Sequence, residues 1–140
     1  MSNKGFASIT FVVVFLIIVV ILLEVFTIYE IYRSTKNDID QILNMVLNNS
    51  FNKGLRESVS IIEESSAVSL FDKKLHELSS RKEYKDKVNI TFTKKEVSSY
   101  PAYFGCEGFI QITPTFIKGF DINGLKIELP FKTSAFIQLK

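Results

Sequence analysis

The side chains best suited to chemistry are scarce in this chain. Among its 140 residues there is one histidine, His76, and one cysteine, Cys106. A single residue of each type does not complete any of the usual zinc sites within one chain. His76 stands between Leu75 and Glu77, in a segment whose apolar residues have helical spacing, so a surface histidine is the expectation there. The sequence therefore predicts no metal site.

The cysteine lies in Gly105-Cys106-Glu107-Gly108, which superficially resembles a loop that carries a catalytic nucleophile. Such a loop needs a strand-turn-helix context and a base close to the nucleophile, and the sequence offers neither around Cys106. We therefore expect a buried or semi-buried structural thiol. An intrachain disulfide is excluded because there is no second cysteine, and one cysteine does not indicate the redox compartment.

Acidic pairs and glycine-rich loops are the other common carriers of chemistry. The pairs Glu63-Glu64 and Asp38/Asp40 lie on the polar faces of helical segments, where solvation accounts for them. The sequence contains no glycine-rich phosphate loop. These observations predict a protein that is not an enzyme and that takes no cofactor and no small-molecule substrate.

Charge argues against nucleic acid as a partner. The chain has a formal net charge of +2, from 17 basic and 15 acidic residues, and every charged residue except Lys4 lies from Glu24 onward. Nucleic-acid binding usually needs a concentrated basic face. The densest basic segment, 73–87, is interleaved with acidic residues, so a solvated helix face is expected there rather than a contact with an anionic surface.

A long apolar segment follows the N-terminus. Residues 6–23 are apolar except for Ser8 and Thr10, and no charge lies between Lys4 and Glu24. About 20 apolar residues at about 1.5 Å each cross the roughly 30 Å hydrocarbon core of a bilayer. A buried core helix is rarely apolar on all sides over so long a segment, and a secretory signal would be shorter and end in small residues. The chain is therefore divided into a basic leader-like tail (1–5), a transmembrane helix (6–30) and a folded domain (31–140).

Helical spacing continues beyond the apolar segment. In residues 28–47, apolar side chains recur at steps of three and four, which places them on one side of a helix. The simplest interpretation is one helix of about 40 residues and roughly 60 Å, which ends or bends first at Asn48-Asn49-Ser50 or nearby Gly54. A second helical segment covers 55–82, with Ser69 as a candidate N-cap. The sequence leaves open whether this segment is one kinked helix or two.

From Lys87 the periodicity changes to two, which is typical of half-buried strands. Strands are predicted at 88–93, 109–117 and 125–129, with apolar alternation resuming after Pro130, and the segment 100–108 is interpreted as an aromatic loop. Asn123-Gly124 is a turn signal. The predicted fold class is α+β: a long N-terminal membrane-spanning helix continues into an amphipathic helix, and a small antiparallel β-sheet of three or four strands packs on it. The helices are expected in about 31–82 and the sheet in about 87–139.

The N-terminus resembles that of a type IV prepilin. Lys4-Gly5-Phe6 directly before an apolar helix is similar to the site at which prepilin peptidase cuts after glycine. The wider layout of leader, long helix and antiparallel sheet is similar too. Within that superfamily, the motif Gly5-Phe6-Ala7-Ser8-Ile9-Thr10-Phe11 and the later Glu24-Val25-Phe26 most resemble minor pseudopilins of the tight-adherence (Tad, TadE-like) pilus. The resemblance is specific in this N-terminal segment and architectural over the rest of the chain.

This resemblance implies a cleavage site between Gly5 and Phe6 and helix-assembly positions at Thr10 and Glu24. The family usually carries glutamate at the fifth position after the cut, where this chain has Thr10. Loss of that glutamate is tolerated in minor, tip-located subunits, so the departure argues against a major filament subunit. The implied function is a non-enzymatic minor pseudopilin or pilus-assembly component of a type IV/Tad-like pilus or secretion system. Its implied partners are membrane lipid, other pilin-like subunits and a prepilin peptidase.

The alternative is an uncleaved single-pass accessory or binding module of a secretion or conjugation complex. In both cases Lys4 and the amino terminus make the short side of the membrane helix positive, and that side is retained in the cytoplasm. We therefore expect a protein of the cytoplasmic membrane with a cytoplasmic N-terminus and an extracytoplasmic C-terminal domain.

Overall fold

A computed structural model describes residues 3–57, 63–81, 86–99, 101–115 and 124–137. Over these residues the chain forms two helices followed by three strands. The helices are α1 (Asn3–Glu57) and α2 (Glu64–Ser79), and the strands are β1 (Val88–Ser98), β2 (Tyr103–Ile112) and β3 (Ile127–Phe136). The predicted α+β fold is confirmed, because the strands form an antiparallel sheet that packs on the long helix.

Helix α1 is longer than the sequence predicts. It runs without a break for 55 residues, roughly 80 Å, so the predicted end at Asn48-Asn49-Ser50 was wrong. Asparagine and serine have low helix propensity, but Ser50 is buried and the preceding Val46 and Leu47 are completely or almost completely buried. Packing of the helix against the domain therefore outweighs the local preference of these residues.

The amphipathic stripe predicted for α1 is confirmed. Its apolar side chains lie in the core, and the opposite side, with Arg33, Gln41 and Asn44, is exposed. The buried residues of the stripe are Ile39, Ile42, Leu43, Val46 and Leu47.

We predict that Ile42→Ala will lower the free energy of unfolding by about 2–3 kcal/mol, the lower part of the range for buried aliphatic side chains. The lower part applies because Ile42 keeps 9% of its surface exposed. Asn44→Ala is the matched control: Asn44 is exposed, its Nδ2 donates to the Asp40 carbonyl one turn away at 2.8 Å, and its loss should cost well under about 1 kcal/mol. Chemical denaturation of the two variants measures both values, and equal small losses would contradict the packing described.

The segment 55–82 contains the end of α1 and the separate helix α2, with residues 58–62 outside the described residues. Part of the predicted apolar repeat, Val59 and Ile62, therefore lies outside them too. The expected N-cap at Ser69 was wrong, because α2 begins at Glu64 with Glu63 at the N-cap position. Ala67 is completely buried, so the core already fixes the first turn of α2 before Ser69 is reached.

In the described part of the sheet the strand order is β1-β2-β3, so β2 is the central strand. The segment 103–108, interpreted from sequence as part of an aromatic loop, belongs to β2 and pairs on both sides. Gly105 and Gly108 lie in this segment, and glycine inside a strand often marks a close approach of neighbouring atoms. A Cβ on Gly108 would lie 2.0 Å from the Thr91 carbonyl oxygen, beside a β-bulge between Phe92 and Lys94.

The other strand boundaries also differ from the predictions. β1 extends to Ser98, β2 ends at Ile112, and β3 passes through Pro130 without interruption. Proline lacks an N–H group and is tolerated at a sheet edge, which is the position of β3. The predicted residues Phe116 and Ile117 of the second strand and Asn123 of the turn lie outside the described residues, whereas Gly124 has a φ of +99°, as a turn glycine requires.

Alternate residues of β2 point into the core. The inward side chains include Phe104, Cys106, Ile110 and Ile112, all of them buried. The outer face of the sheet carries the exposed Phe109 and Phe136 and ion pairs between Lys94 and Glu96 and between Lys132 and Glu107. The helices α1 and α2 cover the inner face of the sheet.

Candidate functional site

The N-terminal half of α1 is apolar and uncovered. The large side chains there are about half exposed or more, for example 72% for Phe11 and 62% for Leu22. Within the described residues, one helical segment, Ala7–Phe51, is long and apolar enough to cross a membrane, with a mean hydropathy of 3.3 and only 6% burial in its most apolar window. A soluble protein rarely exposes a continuous apolar surface of this size, so this half of α1 is the principal candidate site.

The uninterrupted apolar segment of α1 ends at Glu24. This carboxylate is buried, with 3% of the residue exposed, and its Oε1 accepts a hydrogen bond of 2.8 Å from the backbone N–H of Thr115. Glu24 therefore joins the apolar half of the helix to the segment that follows β2.

Beyond Glu24 the two sides of α1 differ. On one side, Ile31 and Tyr32 pack against the core. On the other side, Phe26 and Tyr29 are 62% and 57% exposed, and Arg33 follows one turn later and is exposed too. Aromatic residues followed by a basic residue are typical of the boundary between a bilayer and water.

Two further contacts hold β3 along α1. The Tyr32 hydroxyl donates to the Pro130 carbonyl oxygen at 2.9 Å, and the Thr133 hydroxyl bonds to the Asp40 carboxylate. Together with the bond between Glu24 and Thr115, these contacts span 16 residues of the helix, about 24 Å. The sheet is therefore fixed to α1 at three heights.

The residues singled out by the pilin-like motif lie in one part of the structure, and Glu24 lies in another. The backbones of Gly5, Phe6 and Thr10 belong to the start of α1, and Gly5 and Thr10 are exposed. A Cβ on Gly5 would meet no atom within 4 Å. Glu24 lies 14 residues beyond Thr10, about 21 Å along the helix, and is bound to its own domain.

Sequence reasoning did not find Thr115, the partner of Glu24. The interaction uses the backbone N–H of Thr115, which nearly every residue type provides, so its identity carries no signal. The available signal was Glu24 itself: an acidic residue directly after a long apolar segment requires a partner or water.

The residues considered above as candidates for catalysis or metal binding lie either at the surface or in the core. His76, Glu63 and Glu64 are exposed, and Cys106 is buried with 4% of its surface exposed, as expected for a structural thiol. Burial, reinforced by the nearby Asp40 carboxylate, raises the pKa of the Cys106 thiol to about 12. Among the described residues, no group of three or more His, Cys, Asp and Glu side chains is placed to hold a metal ion.

We predict that Cys106 reacts with a thiol reagent much more slowly in the native protein than in the unfolded chain, since the thiolate is the reactive form.

The raised pKa of Cys106 also makes the stability of the protein depend on pH. The Cys106 thiol stays protonated up to a pH of about 12 in the native protein, whereas the same thiol in the unfolded chain ionises near about 8.5. The contribution of Cys106 to stability is therefore complete below the pKa of the unfolded chain and is lost as the pH rises toward the pKa of the native protein. Denaturation of wild type and Cys106→Ala across this window should show a steeper alkaline loss for wild type; parallel curves would contradict the assignment.

These features define the class of the molecule: an α+β protein with one exposed apolar helix half and a domain folded on the other half. No family model matches the chain, and no similar curated protein or solved structure was found. The function therefore has to be inferred from this geometry and from the N-terminal motif.

Proposed function

We propose that this protein is a membrane-anchored, non-enzymatic assembly subunit of the pilin-like type, a minor pseudopilin of a type IV/Tad-like pilus or secretion system. The observation that carries the proposal is the division of one unbroken helix into two halves. Its first half is apolar and exposed, and its second half is covered by α2 and an antiparallel sheet. This layout is the one expected of a subunit that anchors in a bilayer and bundles with related helices.

The apolar surface surrounds the helix on all sides. The consecutive residues 11–18 are all exposed, each by 49–72%, so the surface is not a single stripe that one flat partner would cover. Lipid covers such a helix completely, and a bundle of neighbouring helices does the same by close packing. Both environments suit a subunit that moves from a membrane into a filament.

Thr10 favours a minor subunit within this proposal. Its side chain is exposed at the start of α1, where the resembling family usually has glutamate. A glutamate would offer a charge to the amino terminus of a neighbouring subunit, whereas a threonine hydroxyl offers only hydrogen bonds. The protein is therefore proposed to cap or prime an assembly rather than to form the body of a filament.

The second candidate function is an uncleaved, single-pass accessory module of a secretion or conjugation complex. Glu24 favours this alternative, because the acidic residue nearest to the apolar segment is buried in contact with Thr115 of its own domain. An anchor whose polar boundary residue binds within its own chain suits a protein that stays in the bilayer.

Processing at Gly5 distinguishes the two functions. Gly5→Val should block cleavage by a prepilin peptidase, because the added side chain obstructs a site shaped for glycine. Ala7→Val is the matched control, since it adds apolar bulk two residues further along and should leave cleavage intact. Intact mass of each protein from cells that contain the peptidase measures the result. A wild-type chain that begins at Phe6 supports the pseudopilin, and a wild-type chain that retains Gly5 contradicts it and supports the accessory module.

A further inference from the structure

We infer that the membrane-proximal end of the sheet rests on the phospholipid surface, so that the domain contacts the headgroups beside its anchor. This end, here called the sheet base, consists of Lys87, residues 113–115 and residues 124–126. The inference rests on the proposed membrane anchoring of α1, and it adds a second contact with the bilayer that does not involve the helix.

The bond between Glu24 and Thr115 sets the height of the sheet base. Side chains of an α-helix tilt toward its N-terminus, so the Glu24 carboxylate lies on the membrane side of its own Cα. The Thr115 N–H group is 2.8 Å from that carboxylate. The bond therefore places this end of the sheet at about the same height along α1 as the Glu24 carboxylate.

Strand pairing places the rest of the sheet base at the same height. Ile112, the last residue of β2, pairs with Ile127, the first residue of β3. Residues 113–115 follow Ile112 and residues 124–126 precede Ile127, so both segments lie at the same end of the sheet. Lys87 joins them, because its carbonyl oxygen accepts a hydrogen bond of 2.9 Å from the Thr113 N–H.

The length of the apolar helix places that height in the headgroup layer. About 20 residues counted from Gly5 fill the hydrocarbon core and end near Glu24, and the headgroup region adds about 5–7 Å, or roughly four residues. The headgroup layer therefore extends along α1 to about Phe26 and Tyr29, which are exposed on the side of the helix opposite the domain. Thr115 and Glu24 thus lie between the hydrocarbon edge and the outer limit of the headgroups.

The exposed side chains of the sheet base suit this location. Leu125 is 42% exposed, and an apolar side chain gains by entering the interface. Lys87 and Lys126 are exposed and can pair with lipid phosphates, while Asp86 is an exposed acidic neighbour of Lys87. An exposed apolar residue and two exposed lysines at one end of the sheet match the chemistry of a phospholipid surface, with phosphates outside and hydrocarbon beneath.

The test uses the full chain in vesicles of phosphatidylcholine and phosphatidylglycerol that contain a headgroup-attached nitroxide lipid. In a Cys106→Ala background, single cysteines carry an environment-sensitive fluorophore at Phe15→Cys, Leu125→Cys or Ser134→Cys. Ser134 is exposed on β3 and lies nine residues from Leu125, about 30 Å further from the bilayer. We expect the label at Leu125 to be quenched several-fold more than the label at Ser134, with its emission shifted to the blue.

The outcomes separate the inference from the proposed anchor. Quenching at Leu125 equal to that at Ser134, with Phe15 in a lipid environment, overturns the contact of the sheet base and leaves the anchor intact. A solvent-like emission at Phe15 overturns the anchor itself. Lys126→Cys repeats the measurement at the neighbouring exposed position, so a folding defect of one variant does not decide the result, and quenching at both positions supports the contact.

Discussion

Replacing Phe71 with alanine should lower the free energy of unfolding by about 3–5 kcal/mol, the range for buried aromatic residues. Phe71 is completely buried on α2. Its ring centroid lies 5.5 Å from that of Phe92 in an edge-to-face arrangement and 5.0 Å from that of Phe104. Such pairs add about 0.5–1.5 kcal/mol beyond burial, so the truncation removes both a large apolar side chain and two ring contacts.

The measurement is chemical denaturation of the full chain in detergent, followed by a signal from the folded domain. Ser69→Ala is the matched control, because Ser69 is an exposed residue of the same helix, and its replacement should change stability by less than about 0.5 kcal/mol. A loss for Phe71→Ala as small as that for Ser69→Ala would show that α2 does not pack on the sheet.

Gly108→Ala should destabilise the protein by about 3 kcal/mol or more, at or above the upper end of the usual cost of overpacking. The added Cβ would lie 2.0 Å from the Thr91 carbonyl oxygen and 2.9 Å from the Phe92 Cα. Both are backbone atoms of β1, so no side chain can rotate away to relieve the contact. The central strand and β1 must separate, which weakens the hydrogen bonds between them.

Gly105→Ala is the matched control for this prediction, since it places the same methyl group in the same strand. Its Cβ would meet the Tyr103 hydroxyl oxygen at 2.2 Å, but this atom is the far end of a side chain that is only half-buried. The tyrosine can rotate toward solvent, so the loss should be much smaller. The unfolding midpoints of the two variants, by heat or denaturant, measure the difference. Equal losses of stability would refute the role assigned to the close contact between Gly108 and the backbone of β1.

Sequence reasoning predicted the parts of the fold that depend on local periodicity. The apolar segment after Lys4, the buried stripe around Ile39 and the strand that begins at Val88 all follow from the spacing of apolar residues, and each has a counterpart in the structure. The errors fall where a distant contact overrides a local preference. Ser50 stays helical because the domain buries it, and Pro130 stays in a strand because that strand is at the edge of the sheet.

The candidate site was predictable only in part for the same reason. Gly5, Phe6 and Thr10 are close in sequence, so their pattern could be compared with a known motif. The contact between Glu24 and Thr115 joins residues 91 positions apart, and it depends on where β2 ends. No local pattern encodes that position, because the end of a central strand is set by its pairing with both neighbours.

The three attachments of the sheet along α1 also have a mechanical consequence. The helix is continuous from its apolar half into the domain, and the contacts of Glu24, Tyr32 and Asp40 prevent the sheet from turning around it. Any rotation of the helix about its own axis, or any change in its tilt, therefore turns the domain through the same angle. A torque applied to the apolar half would therefore be transmitted to the outer face of the sheet.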